Sequence, residues 1–189
     1  MTPAAYGEST PPMSDTHSTV TRGVRLAVDV GRARVGLAAS DPDGIMAHPV
    51  KTLRRDFNGS GGDQRYIYSV ARDREATVVY VGDPINLHGQ STASTADAED
   101  YAQGLADTLA ASAECAHVQV FLVDERLSTV LASQSLHQAG RSARSQRSVI
   151  DQAAAVEILE HALTVEKRDG QRAGRRVVPA PEQATEGQS

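Results

Sequence analysis

The sequence predicts an α/β domain over residues 23–165: one mixed sheet of about five strands, the first three antiparallel, with helices packed on it. Three observations carry this. Short β-branched runs bounded by Gly and Pro alternate with stretches whose apolar residues recur at helical spacing. The first three runs follow each other too closely for anything but hairpins. With no Trp and two Phe, the core must be built from Val, Leu, Ile and Ala, which suits layered sheet and helix.

Val24 to Val30 (VRLAVDV) ends at Gly31 and reads as the first strand, with Arg34 to Ser40 (RVGLAAS) returning beside it. His48 to Leu53 is the third. Asp63 to Arg74 places Tyr66, Ile67, Val70 and Ala71 on one helical face, and Thr77 to Val81 is a buried strand. Ala96 to Leu109 has Ala98, Tyr101, Ala102, Leu105 and Leu109 on one face and acids elsewhere, an amphipathic helix. Val118 to Val123 is a further buried strand, and helices are expected over Ser128–Gln138 and Ser148–Val165. Residues 1–22, rich in Ser, Thr and Pro, and the polar, partly basic stretch 166–189 read as disordered tails.

Composition narrows the function. No window approaches the ~20 apolar residues of a membrane span, and no basic start followed by an apolar run marks a secretory signal, so a cytoplasmic location is expected. A single cysteine, Cys115, excludes a disulfide framework and a cysteine-based zinc site. It reads as an incidental thiol. The formal net charge of −5 argues against a uniformly basic nucleic-acid binder. The distribution says more: between Glu125 and Asp151 there is no acid, while Arg126, Arg141, Arg144 and Arg147 all fall there.

Sites in such sheets gather beyond the carboxyl ends of the strands. Asp29 sits at the end of the first strand, Asp124 and Glu125 just past the end of the last, and Asp151 in the first turn of the final helix. Each alone has an ordinary structural explanation, as a turn acid, a surface charge or a helix-dipole partner. Together they form a carboxylate set without a histidine or cysteine partner set, which selects Mg²⁺ or Mn²⁺ over zinc. Two such ions can activate water and stabilise the leaving oxygen in attack on a phosphodiester. Because successive strand residues face opposite ways, one of Asp124 and Glu125 points to the cleft. Arg32, Arg34 and Arg126 flank these acids and are candidates, with Arg141, Arg144 and Arg147, for gripping a phosphate backbone.

Four segments, LAVDVGRARVGLAASDPDGIMAHPVKTL (26–53), VVYVGDPINLHGQ (78–90), VDERLSTVLASQSLHQAG (123–140) and VIDQAAAVEILEHAL (149–163), resemble the YqgF/RuvX family. The resemblance spans about 25 to 165. It implies a three-layer RNase H-like fold related to the Holliday junction resolvase RuvC. It also implies a nuclease that matures the 5′ end of pre-16S rRNA or resolves branched DNA. The family carboxylates would fall on Asp29, on Glu125 or Asp124, and on Asp151. Where the family has Gly-Leu-Pro, this chain has Gly82-Asp83-Pro84; Asp83 is either an extra acid near the site or a turn residue before proline, and the turn is the expected reading. The partner is then structured nucleic acid. A resolvase would act as a homodimer to cut two symmetric strands, and a processing enzyme would associate with pre-ribosomal particles. Two other classes compete. An actin-like ATPase would need a second domain for which the chain is too short. A non-catalytic nucleic-acid-binding factor would keep the fold without hydrolysis.

Overall fold

The fold, given by a computed structural model, is described for residues 20–84, 93–124 and 143–181, with the backbone alone for 143–151. The expected tail 1–22 thus lies almost wholly outside the described residues, as do the helix expected at 128–138 and the end of the chain.

Strands β1 (Val24–Val30), β2 (Arg34–Ser40) and β3 (Ala47–Arg54) form an antiparallel meander. Helix α1 (Gly62–Asp73), β4 (Ala76–Asp83), α2 (Ala93–Ala110), β5 (Gln119–Asp124), α3 (Ala143–Asp169) and β6 (Arg175–Val177) follow. The sheet order is β3-β2-β1-β4-β5-β6. β4 runs parallel to β1, β5 parallel to β4, and β6 antiparallel to β5.

Side-chain alternation splits the core into two layers. Val24, Leu26, Val28, Val35, Leu37, Val79, Val81, Val120 and Leu122 face α1 and α2, together with Cys115. Ala27, Ala38, Val78, Tyr80, Phe121 and Val123 face α3 through Ala155, Ile158, Leu159 and Ala162. The three layers expected from the family resemblance are present, with six strands rather than about five.

The sixth strand revises the expected boundary at 165. Helix α3 continues to Asp169, and β6 pairs Val177 with Val120 and Arg175 with Leu122. Gly174 makes the return possible at φ +81°, where a side chain would collide with the Leu122 carbonyl. A buried charge network fastens the same corner. Arg25 Nε donates to Glu166 Oε2 at 3.0 Å, Arg172 Nη1 donates to Glu166 Oε1 at 2.5 Å, and the Tyr80 hydroxyl donates to that same oxygen. Burial, then the neighbouring Glu166, pushes the Tyr80 hydroxyl pKa well up, so it remains a donor. Cys115 is buried in the α1/α2 layer, and burial raises its thiol pKa, so it is a poor nucleophile.

Candidate active site

The carboxyl ends of the three parallel strands carry Asp29, Asp83 and Asp124. Asp83 and Asp124 are register partners; Val28 pairs with Val81, so Asp29 stands one residue short of their level. Alternation then separates them. Ala27 belongs to the α3 layer, so Asp29, two residues on, falls on the α3 face. Val120 and Leu122 belong to the opposite layer, which puts Asp124 on the α1/α2 face, and Val79 and Val81 put Asp83 there too. Asp124 is the last residue of β5 rather than a residue beyond it. Asp83 is not the expected turn residue: it ends β4 and is 7% exposed.

Helix α3 lies over the face that carries Asp29. The Arg25–Glu166 pair fixes its far end beside the start of β1. At 1.5 Å per residue, ~22 Å of helix separates Glu166 from Asp151, against ~13 Å of strand from Arg25 to Asp29. Helix α3 is thus long enough to reach the rim at Asp29 from that corner. Its position repeats that of Ala155, Ile158 and Ala162, the stripe buried against the sheet. The helix begins at Ala143, so Asp151 lies beyond its second turn, not in the first as expected. A helix-dipole explanation for this acid therefore falls away, since that effect fades within the first turn.

Glu125, Arg126 and Arg141 lie outside the described residues, and Arg144 and Arg147 sit on α3 where only the backbone is described. Among the described residues no group of three metal-ligating side chains occurs. Arg32 is exposed at the tip of the β1–β2 hairpin and Arg34 is half-buried at its base. Gly31 closes that hairpin, its N–H donating to the Arg34 carbonyl at 2.9 Å. A Cβ on Gly31 would lie 2.9 Å from the same oxygen, so here glycine serves a close backbone approach.

One contributor has no signal in the sequence. The Arg55 guanidinium donates to Asp97 through Nη1 at 2.7 Å and Nη2 at 2.8 Å, a two-pronged pair reaching across 42 residues. Nη1 also donates to the Gly31 carbonyl at 3.2 Å, and the Arg55 N–H to the Ala33 carbonyl at 3.0 Å. The guanidinium carbon lies 5.0 Å from the Tyr101 ring centre and 5.2 Å from that of Phe57. Arg55 thus ties the hairpin that presents Asp29 to the first turns of α2. The hydrogen bonds from Arg55, with the charges of Arg55 and Arg32, hold the Asp97 carboxyl below its usual range. At the same end of α2, the Thr95 hydroxyl donates to the Pro84 carbonyl at 3.1 Å, anchoring the chain leaving β4.

The sequence profile of the RuvX family, described as Holliday junction resolvase, matches residues 23–165, most of the chain. The chain belongs to the RuvX family. Relatives agree. A Clavibacter sepedonicus protein named "Putative pre-16S rRNA nuclease" is 52% identical over 148 residues, covering 78% of this chain and 87% of that one. A Mycolicibacterium smegmatis protein of the same name is 46% identical over 140 residues, covering 74% and 79%. Among solved structures, Thermus thermophilus RuvC in complex with a Holliday junction substrate superposes with a TM-score of 0.52 at 14% identity. It covers 82% of this chain and 99% of that one. That likeness shows the fold shared by this RuvX member and RuvC.

Proposed function

We propose that this RuvX-family chain is a cytoplasmic, metal-dependent nuclease whose substrate is the 5′ region of pre-16S rRNA. The observation that carries the reading is the placement of Asp29. It stands at the rim of β1, on the face covered by α3, the helix to which Asp151 belongs. The relatives' shared name, at 46–52% identity, supports the RNA substrate.

Alternation along β5 supports Glu125 over Asp124 as the ligand. Asp124, at the end of β5, falls on the far face from Asp29, which disfavours it as a partner of Asp29. Asp29, Glu125 and Asp151 are the proposed ligands. An all-carboxylate donor set fits Mg²⁺ or Mn²⁺, proposed as a pair. When bound, the ions supply an activated water and charge stabilisation at the leaving oxygen. The protein's own part is to aim its carboxylates from three rigid elements and to grip the backbone. Arg32 and Arg34 flank the hairpin for that purpose, with Arg126, Arg141, Arg144 and Arg147 completing the proposed contacts. Arg55 holds the hairpin still.

The family description favours a second substrate, a four-way DNA junction, which would require a homodimer. Cleavage of a labelled pre-16S 5′ leader and a labelled junction by wild type and Asp29→Asn in Mn²⁺ separates the readings. RNA cutting by wild type alone supports rRNA processing within pre-ribosomal particles. Symmetric junction cutting alone supports a resolvase. Binding without cutting under any divalent metal would leave a non-catalytic factor and overturn the proposal.

A further inference from the structure

The loop between β3 and α1 is gathered around one acid. The Asp56 carboxylate accepts the Asn58 N–H at 2.8 Å, the Gly62 N–H at 2.9 Å and the Ser60 hydroxyl. Beside it the loop presents Phe57, 70% exposed and the only exposed aromatic ring among the described residues. Leaving a Phe side chain in water forgoes the stabilisation its burial would bring. One face of the ring rests on the Arg55 guanidinium, 5.2 Å from the ring centre, and the high exposure leaves the other face open. Arg55 is itself fixed by Asp97, by Tyr101 and by the Gly31 carbonyl, so the backing of the ring is rigid. Its bond to that carbonyl is 3.2 Å, which puts the Phe57 ring centre within ~10 Å of the Gly31 oxygen. Gly31 is two residues past Asp29. Cations surround the ring: Arg32 is exposed at the tip of the same hairpin, and Arg54 and Arg65 are exposed on the outer side of the loop. The nearby acids are committed, Asp97 to Arg55 and Asp56 to its own loop.

We infer that the open face of Phe57 is a stacking platform for an unpaired base of the RNA substrate, a few nucleotides from the bond that is cut. The inference rests on the nuclease reading of the Asp29 rim. Every base has a π-face, so an aromatic platform holds a single strand whatever its sequence, while neighbouring cations take the backbone. Phe57 is stacked on an arginine anchored to α2, whereas Asp29 lies on the face covered by α3. A strand that reaches both therefore crosses the β1–β2 hairpin, whose tip carries Arg32. Bases locked in a continuous duplex cannot turn onto the ring, so the platform selects a substrate with an unpaired stretch beside the cleavage point. A carboxylate set acting on the phosphodiester alone makes no such choice. The competing explanation is that Phe57 only shields the Arg55–Asp97 pair from water.

The test is equilibrium binding to the full chain carrying Asp29→Asn, in Mn²⁺ and across a salt series. The probes are a single-stranded RNA bearing 2-aminopurine at successive positions and a blunt RNA duplex of the same length. Phe57→Leu keeps an apolar cover over Arg55 but removes the stacking face, while Phe57→Trp keeps one. Phe57→Leu is expected to weaken single-strand binding about tenfold, the scale of one lost base–aromatic stack. It should also abolish the quenching of a stacked 2-aminopurine and leave the log–log salt slope unchanged, because no phosphate contact is removed. Phe57→Trp should retain both affinity and quenching, and duplex binding should not respond to Phe57→Leu. Unchanged single-strand affinity in Phe57→Leu overturns the platform. So does an equal loss on single strand and duplex accompanied by a fall in Tm, the result the shield explanation expects. Cleavage by the chain with Asp29 intact is read separately. Stacking without cutting under any divalent metal fails the nuclease reading alone, and cutting without any dependence of binding on Phe57 fails the platform alone.

Discussion

Replacing Arg55 with Met tests whether the hairpin carrying Asp29 is held from α2. The two hydrogen bonds to Asp97 are charge-assisted, but Asp97 is 39% exposed, so screening limits the pair to about 1–1.5 kcal/mol. The bond to the Gly31 carbonyl adds about 0.5–1 kcal/mol, and stacking on Tyr101 and Phe57 about 0.5–1 kcal/mol each. Met keeps part of the ring contact, so the net loss is about 2–3 kcal/mol. For an ordered region of this size that lowers Tm by about 5–10 °C. The assay is thermal unfolding of Arg55→Met, Asp97→Asn and the double variant. The single losses should exceed additivity with the double, because both delete one contact. The pH dependence follows from sign. Asp97 is depressed below its ordinary 3.8, so its contribution is present above that value and lost as pH falls through the folded value. Arg55→Met should therefore flatten the acid limb of stability. A Tm loss under about 2 °C, or strictly additive variants, would refute the reasoning.

Other expectations concern the far corner and the return strand. Glu166→Ala leaves the Arg25 guanidinium, whose side chain is 6% exposed, buried without its counter-charge. It should cost about 3–5 kcal/mol by chemical denaturation, and a cost below 1 kcal/mol would contradict the network. Gly174→Ala forces a side chain into a left-handed conformation against the Leu122 carbonyl. It should cost about 2–4 kcal/mol and open β6 to amide exchange, whereas unchanged protection of Val177 would show β6 held by other means.

Much of the fold was legible because its signals are local. The DVG hairpin, the buried β4 and β5 runs and the α2 stripe each announce themselves within a dozen residues. The features that escaped rest on partners far away in sequence. Glu166 read as the start of a polar tail, yet it is buried against Arg25, and the two are 141 residues apart. β6 has only Val177 as an apolar residue, too little for period-two alternation to register. Arg55 resembles any surface arginine until Asp97 is brought beside it. For the acids, the sequence located the rim, but only the two-layer core assigns faces. That assignment sets Asp29 apart from Asp83 and Asp124, while the start of α3 at Ala143 moves Asp151 out of the first helical turn.

The most direct test of the central claim compares Asp124→Asn with Glu125→Gln in single-turnover cleavage of the pre-16S 5′ leader with Mn²⁺. Catalytic carboxylates gathered on the α3 face predict that Glu125→Gln loses cleavage by about a hundredfold or more, on the scale of losing a group that stabilises the transition state. Asp124→Asn, on the opposite face, should retain most of the wild-type rate. The reverse pattern, or equal loss from both, would contradict the account.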